Sequence, residues 1–382
     1  MNLFLSAGEA SGDLHGARLL RALQLLRPGV RAFGMGGARL VAAGLDPVVR
    51  PESISVVGFT EVVEKLPEVL RALSALDAAA VQRSPEAAVL IDFPDFHNLL
   101  SRRLRRDGVP LVYYVSPQVW AWRPWRARTI ARRARRIITL FPFETDIYRN
   151  LGADAVCAGH PLVEDVEEGL QVPSPLPPKT RRRLVLLPGS RAVEVRRLWP
   201  DLSEAAARLA RRLDLEVVAV RAAGLSEDLY PGAQALGIRV VAEGLHPVVA
   251  SADLVFVASG TATLETALCG APMIVVYRTS PVSYAIARAL VRVPWFSLVN
   301  IVAREKVVPE LLQGRLTVAS LEREAESLLA SASRLETMKR GLARVSRELG
   351  PPGASLRAAE YVLSAVEAPP SAQAAADGGG AS

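Results

Sequence analysis

Residues Ser259–Pro272, SGTATLETALCGAP, directly follow the apolar run Asp253–Ala258, DLVFVA. A short run rich in valine and bounded by turn residues reads as a buried strand, and the alanine, leucine and threonine spacing after it reads as a helix. Between the two, Ser259, Gly260, Thr261 and Thr263 supply a flexible turn, hydroxyls and main-chain N–H groups at the positive end of that helix. A phosphate or diphosphate suits such an end. Ala262 opens the helix, and Glu265, one turn in, offers a carboxylate to a ribose diol. An ordinary strand-to-helix turn with hydroxyl caps uses the same residue types, so the rest of the chain has to decide.

Outward from this point the same unit recurs. Strand-like runs fall at Leu3–Ala7, Ala32–Gly34, Ala87–Ile91, Leu111–Val115 and Ile137–Leu140, with helical spacing over Leu14–Leu26, Glu61–Val81 and Asn98–Arg106. A second series runs through Leu184–Leu187, Glu216–Val220, Arg239–Val241, Leu254–Val257 and Met273–Val276. Strands alternating with helices imply α/β structure with parallel sheets covered on both faces. The proline-rich Gln171–Lys179, QVPSPLPPK, reads as a linker between two doubly wound, Rossmann-like domains. The expected divisions are 1–168, a linker over 169–182, 183–350, and a C-terminal helix with a low-complexity tail over 351–382. Two such domains are expected to face a cleft at the carboxyl ends of their strands.

Bulk properties narrow the class. The chain has 382 residues, half of them hydrophobic, yet no apolar run is long enough to span a bilayer. It starts on the strand-like Asn2–Leu5 with no basic leader. Two distant cysteines, Cys157 and Cys269, fit a reducing cytoplasm, and His15, His97, His160 and His246 lack ligand spacing, so neither a disulfide framework nor a metal site is expected. The net charge of +7, concentrated in Arg102–Arg106 and Arg123–Arg136, points to anionic partners.

Eight motifs in order carry a resemblance: Ala7–Asp13 (AGEASGD), Val57–Val62 (VGFTEV), Ile91–Phe96 (IDFPDF), Tyr114–Arg123 (YVSPQVWAWR), Gly159–Leu162 (GHPL), Leu187–Arg191 (LPGSR), Ser259–Glu265 (SGTATLE) and Ser297–Asn300 (SLVN). The chain resembles the lipid-A-disaccharide synthases, glycosyltransferases of GT-B architecture, over roughly residues 3–350. The resemblance implies transfer from UDP-2,3-diacylglucosamine to 2,3-diacylglucosamine 1-phosphate, giving a β-1,6-linked disaccharide 1-phosphate and UDP. It implies no cofactor, a cytoplasmic protein peripheral to the anionic inner-membrane surface, and no nucleic-acid partner. The oligomeric state stays open, a homodimer being one option. One departure stands out: the usual IDxPDFN pattern reads here Asp95-Phe96-His97-Asn98, with the asparagine one place late.

With that resemblance the residues take expected roles. Asp92 ends a strand and is expected to be the general base, while Asp95, after Pro94, is expected to cap a helix. Ser190 and Arg191 are candidates for the diphosphate, although Arg191 and Glu194 also have the spacing of an ordinary i,i+3 ion pair. Together with Ser259, Gly260, Thr261, Ala262 and Glu265 they form the expected donor site, to which Asn300 and Gln313 are added from the later motifs. Glu9, Ser11 and Asp13 are expected on the acceptor side, with Asp13 equally suited to a helix-entry charge. Val57, Phe59, Trp122 and Trp125 are candidates for the membrane or the acyl chains, with Arg126 and Arg128 also expected at the interface; Trp120 is expected in the core. No carboxylate pair stands where a metal-dependent transferase needs one. Rival readings are a muramyl transferase or a 2-epimerase of the same architecture, and a basic nucleic-acid-binding module.

Overall fold

The structure, a computed structural model, describes residues 1–51, 66–117, 119–120, 124–280, 284 and 294–368. The chain divides into two compact units, Met1–Pro161 with the stretch from Pro352 onward, and Leu162–Pro351. The first holds a seven-stranded, all-parallel sheet in the order β3-β2-β1-β4-β5-β6-β7. Its strands are β1 (Asn2–Ala7), β2 (Arg31–Met35), β3 (Leu45–Val49), β4 (Ala87–Ile91), β5 (Leu111–Tyr114), β6 (Arg136–Thr139) and β7 (Ala155–Cys157). The second holds six parallel strands in the order β10-β9-β8-β11-β12-β13. These are β8 (Arg182–Leu187), β9 (Leu215–Val220), β10 (Ile238–Val241), β11 (Leu254–Ala258), β12 (Met273–Tyr277) and β13 (Glu310–Leu312).

Both are doubly wound, Rossmann-like sheets. In each the strand order reverses beside the first strand, between β1 and β4 and between β8 and β11. A ligand crevice opens at the carboxyl ends of the strands flanking such a reversal. The central strands are continuously apolar because helices cover both faces; β4 and β11 are buried along their whole length.

Three boundaries differ from the sequence reading. The unit break falls at Pro161, earlier than expected, and the helix Ala354–Glu367 belongs to the first unit. That helix packs on the helix Ala10–Leu26, and Arg357 donates to the Ala158 carbonyl at 2.9 Å. The expected linker is in part a packed strap of the second unit. Leu176 is buried, Pro175 lies against Gly244, and the Pro177 carbonyl accepts from Arg183. Arg183 is itself buried, held by Glu216 at 2.8 Å and Ser251 at 2.7 Å. Strands β3, β7 and β13 were not foreseen. All three are sheet edges, short and only partly buried.

Candidate active site

In the first unit β4 delivers Asp92 to the reversal point, and the chain then turns sharply. Asp92 and Phe93 both adopt the left-handed conformation, with φ of 53° and 56°. Such a backbone costs a side-chain-bearing residue about 1–3 kcal/mol, and an aromatic one tolerates it poorly. Packing around Phe93 offsets that cost. Its ring stacks on Phe96 at 5.3 Å and fills the space over Gly8, where an added Cβ would lie 2.0 Å from the ring. The AGEASGD loop carries its first glycine for this reason.

The turn aims the Asp92 carboxyl into a cavity of about 300 Å³ lined also by Glu9, Pro94, Val115, Ser116, Pro117, Val119 and Arg126. Ser11 donates to Asp92 at 3.3 Å. Burial dominates over this hydrogen bond and that from the Phe93 main chain, and pushes the Asp92 carboxyl above its ordinary range. A desolvated carboxylate of raised proton affinity is suited to taking a proton near neutrality.

Neighbouring residues depart from their expected roles. Asp95 does not cap its helix, which runs over Pro94–Arg106 with Phe93 at the cap; it pairs with Arg126 instead. Asp13 leaves the acceptor side altogether. Its buried carboxylate accepts from the Arg39 and Leu40 N–H groups at 3.0 and 3.1 Å, capping the helix Ala38–Ala42. Glu9 and Ser11 remain at the site. Arg126, expected at the lipid interface within an arginine-rich run, instead lines this cavity. Glu144, which the sequence did not single out, is buried, accepts from Trp120 Nε1 at 3.0 Å, and desolvation lifts it to about 7.

In the second unit the loop after β11 has the open geometry expected of it. Gly260 takes φ 152°, and among the described residues no hydrogen bond engages the N–H groups of Gly260, Thr261 and Ala262. Two of the hydroxyls play a different part: Thr263 donates back to the Gly260 carbonyl at 2.7 Å and Ser259 to the Phe296 carbonyl at 3.2 Å. The groups of this helix end left to meet an anion are its main-chain N–H groups and the exposed Thr261 hydroxyl. Glu265, partly exposed, faces His246 Nε2 at 3.4 Å. His246 lies 19 positions earlier in the chain, with no sequence signal tying it to Glu265.

The loop after β8 folds over Glu194. That carboxylate accepts from the Ser190 N–H at 3.2 Å and from Arg191 at 3.1 Å. It thus occupies an anion position at the start of the helix Ala192–Leu213. Arg191 is 81% exposed, and an ion pair so exposed contributes about 0–1 kcal/mol, so the guanidinium is readily exchanged to another anion.

Asn300 and Gln313 are both engaged by main-chain groups of the fold. The fully buried Asn300 donates to the Val308 carbonyl and to Glu310, and accepts from the Val307 and Val308 N–H groups, at 2.8–3.0 Å. Its hydrogen-bonding capacity is spent inside the fold. The Gln313 amide makes a two-point contact with the Thr279 main chain, 3.2 Å on each side.

A family model described as Lipid-A-disaccharide synthetase matches residues 3–363. The chain belongs to the lipid-A-disaccharide synthase family. The lipid-A-disaccharide synthase of Myxococcus xanthus (strain DK1622) is 43% identical over 375 residues, spanning 94% of this chain and 96% of its own. That of Acidobacterium capsulatum is 41% identical over 385 residues, spanning 93% of each. Among solved structures, UDP-GlcNAc 2-epimerase from Neisseria meningitidis bound to UDP-GlcNAc superposes with a TM-score of 0.62 at 11% identity, covering 95% of this chain and 100% of that one. A calicheamicin glycosyltransferase gives 0.59 at 17% identity, covering 96% and 99%. These two likenesses establish the GT-B fold. Family membership makes the chain a glycosyltransferase of lipid A biosynthesis and sets aside the epimerase and muramyl transferase readings.

The two kinds of polar residue in the second unit should separate experimentally. Glu265→Ala is expected to weaken UDP binding by about 1–3 kcal/mol with little change in melting. Asn300→Ala should instead cost about 2–4 kcal/mol of stability, because several buried partners lose their mate. Calorimetry and denaturant unfolding of both variants check this, and a reversed pattern would exchange the two assignments.

Proposed function

We propose that the chain transfers the diacylglucosamine of UDP-2,3-diacylglucosamine to the 6-hydroxyl of 2,3-diacylglucosamine 1-phosphate, with inversion. The observation that carries this reading is the desolvated Asp92 carboxyl, held by a strained turn at the strand reversal of the first unit. Asp92 takes the proton of the acceptor hydroxyl as that oxygen attacks the anomeric carbon. The bond from that carbon to the diphosphate breaks, and UDP leaves with the electron pair. Attack opposite the leaving group turns the α-linked donor into a β-linked product.

The leaving charge would be met by the Gly260, Thr261 and Ala262 N–H groups and by Arg191, once Arg191 exchanges Glu194 for phosphate. Glu265 would take the ribose hydroxyls. This machinery would need no metal, so chelators should leave turnover intact. Glu9 and Ser11 would contact the acceptor sugar; Ser11 already lies on Asp92.

The acyl chains call for a lipid surface, and no helix of the described residues is long and apolar enough to cross a membrane. The reading is therefore peripheral attachment at the cytoplasmic face. Trp125, 63% exposed beside the exposed Arg128, supports it, as do the exposed Leu66, Leu70 and Leu99 of the same unit. Val57, Phe59 and Trp122 lie outside the described residues. Arg126 belongs with Asp95 rather than with the lipid. Apolar insertion plus arginine attraction is the two-signal arrangement of peripheral proteins.

Asp92→Asn tests the chemistry. Asparagine accepts the left-handed backbone, so turnover should collapse, by about 100-fold or more, while UDP affinity persists. Activity of the wild type should rise with pH through a value above 3.8, the ordinary aspartate pKa. The stability sign is opposite: a carboxyl whose pKa is raised in the fold loses stability as pH rises through that range. Asp92→Asn should therefore melt no lower than wild type near pH 7. Retained turnover would remove Asp92 as the base. For the membrane, Trp125→Ser should lower activity on vesicle-bound substrate more than on detergent-dispersed substrate; equal losses would place the lipid surface elsewhere.

A further inference from the structure

The general base does not hold its own position. Behind Asp92, on the side away from the cavity, lies His97, fully buried one helical turn after the strained pair. Its Nε2 is 2.8 Å from the hydroxyl of Ser6, which is equally buried in β1. Its Nδ1 is buried and has no hydrogen-bond partner among the described residues. The main-chain N–H of His97 bonds to the Phe93 carbonyl at 3.1 Å, and the ring meets Phe93 edge-on at 6.0 Å and Phe96 at 6.1 Å. One imidazole thus touches Ser6 of β1, the left-handed Phe93 and Phe96 of the helix that follows. We infer that His97 is a positioning residue for the transfer reaction, a brace between Ser6 and the left-handed Phe93 that sets where the adjoining Asp92 carboxyl points.

The chemistry of the ring suits that task. Burial holds its pKa down to about 3, so it stays neutral throughout the working range and offers one donor and one acceptor. Nε2 shares one hydrogen bond with the Ser6 hydroxyl, and the tautomer sets which of the two donates. A hydrophobic residue of similar size would keep the packing and lose that directional bond. This is also the position where the family pattern places asparagine. The shift is compensated locally: Asn98 turns to Arg133, accepting at 2.9 Å from the helix Trp125–Arg133, and takes no part at Asp92. The inward position belongs to His97 alone. The other charged groups that share the Asp92 cavity are Glu9 and Arg126, on separate segments.

The proposal rests on Asp92 being the base, and the test keeps the two apart. The full chain carrying His97→Leu and His97→Asn is assayed on both diacylated substrates, reading kcat, KM, the acid limb of the pH profile and melting. His97→Leu should lower kcat by about 10- to 100-fold with KM nearly unchanged, the cost of a small misplacement of a reacting group. The acid limb should move down toward the ordinary carboxylate range, because a carboxyl no longer pinned in its desolvated place titrates lower. His97→Asn should recover much of kcat, since an amide restores a polar partner for Ser6. If His97→Leu does not fold, Ser6→Ala removes one anchor alone and should give a smaller fall in kcat with the same direction of shift. Loss of activity that follows melting while the acid limb stays in place would overturn the proposal, as would unchanged kcat in His97→Leu or, where that variant does not fold, in Ser6→Ala. If Asp92→Asn retains turnover, the base assignment fails first; if it does not and the His97 variants are silent, only the brace is wrong.

Discussion

The site depends on two consecutive residues, Asp92 and Phe93, held in the left-handed conformation at the end of a fully buried strand. An L-residue pays for that backbone, and Phe93 pays most. The surrounding structure is arranged to bear it. Gly8 leaves room for the Phe93 ring, Phe96 stacks against it, and His97 and Ser6 tie the segment to β1. The result is a carboxyl placed where it is desolvated rather than where it is comfortable. A straight exit from β4 would carry Asp92 onto the ordinary path into the following helix, with no raised proton affinity and no need for the brace.

The second unit meets a complementary need with different means. The Ser259 and Thr263 hydroxyls at the reversal point serve the loop itself, and its main-chain N–H groups remain for an anion. A backbone cradle has little freedom to lose on binding, and its positive field concentrates at the first turn of the helix. Arg191 adds a mobile charge resting on Glu194, at small cost to release. In the proposed reaction these fixed dipoles and one movable cation would meet a diphosphate that arrives as donor and departs as product.

The sheets were legible because buried parallel strands are continuous apolar runs, and the ten foreseen were of this kind or close to it. Three of the four sheet edges were not, β10 being the exception: β3 carries Pro47 and an exposed Asp46, and β7 and β13 are three residues each. Periodicity has too little length to register there. Site residues divided in the same physical way. Asp92 and the loop after β11 were readable because position at a strand end determines direction. Asp13, Asn300 and Gln313 stand in the motifs for structural reasons, since each satisfies main-chain groups from distant segments that sequence spacing does not reveal. His97, Glu144, Arg126 and His246 are brought to their partners by tertiary structure alone.

The central claim is that this chain forms a β-1,6 glycosidic bond between two diacylated glucosamine units. Incubating it with UDP-2,3-diacylglucosamine and 2,3-diacylglucosamine 1-phosphate, and examining the lipid product by mass spectrometry and proton NMR, tests that claim most directly. The expected result is a tetra-acylated disaccharide 1-phosphate with a β anomeric coupling, formed one for one with UDP. An α-linked product, or UDP released with free diacylglucosamine and no disaccharide, would contradict it.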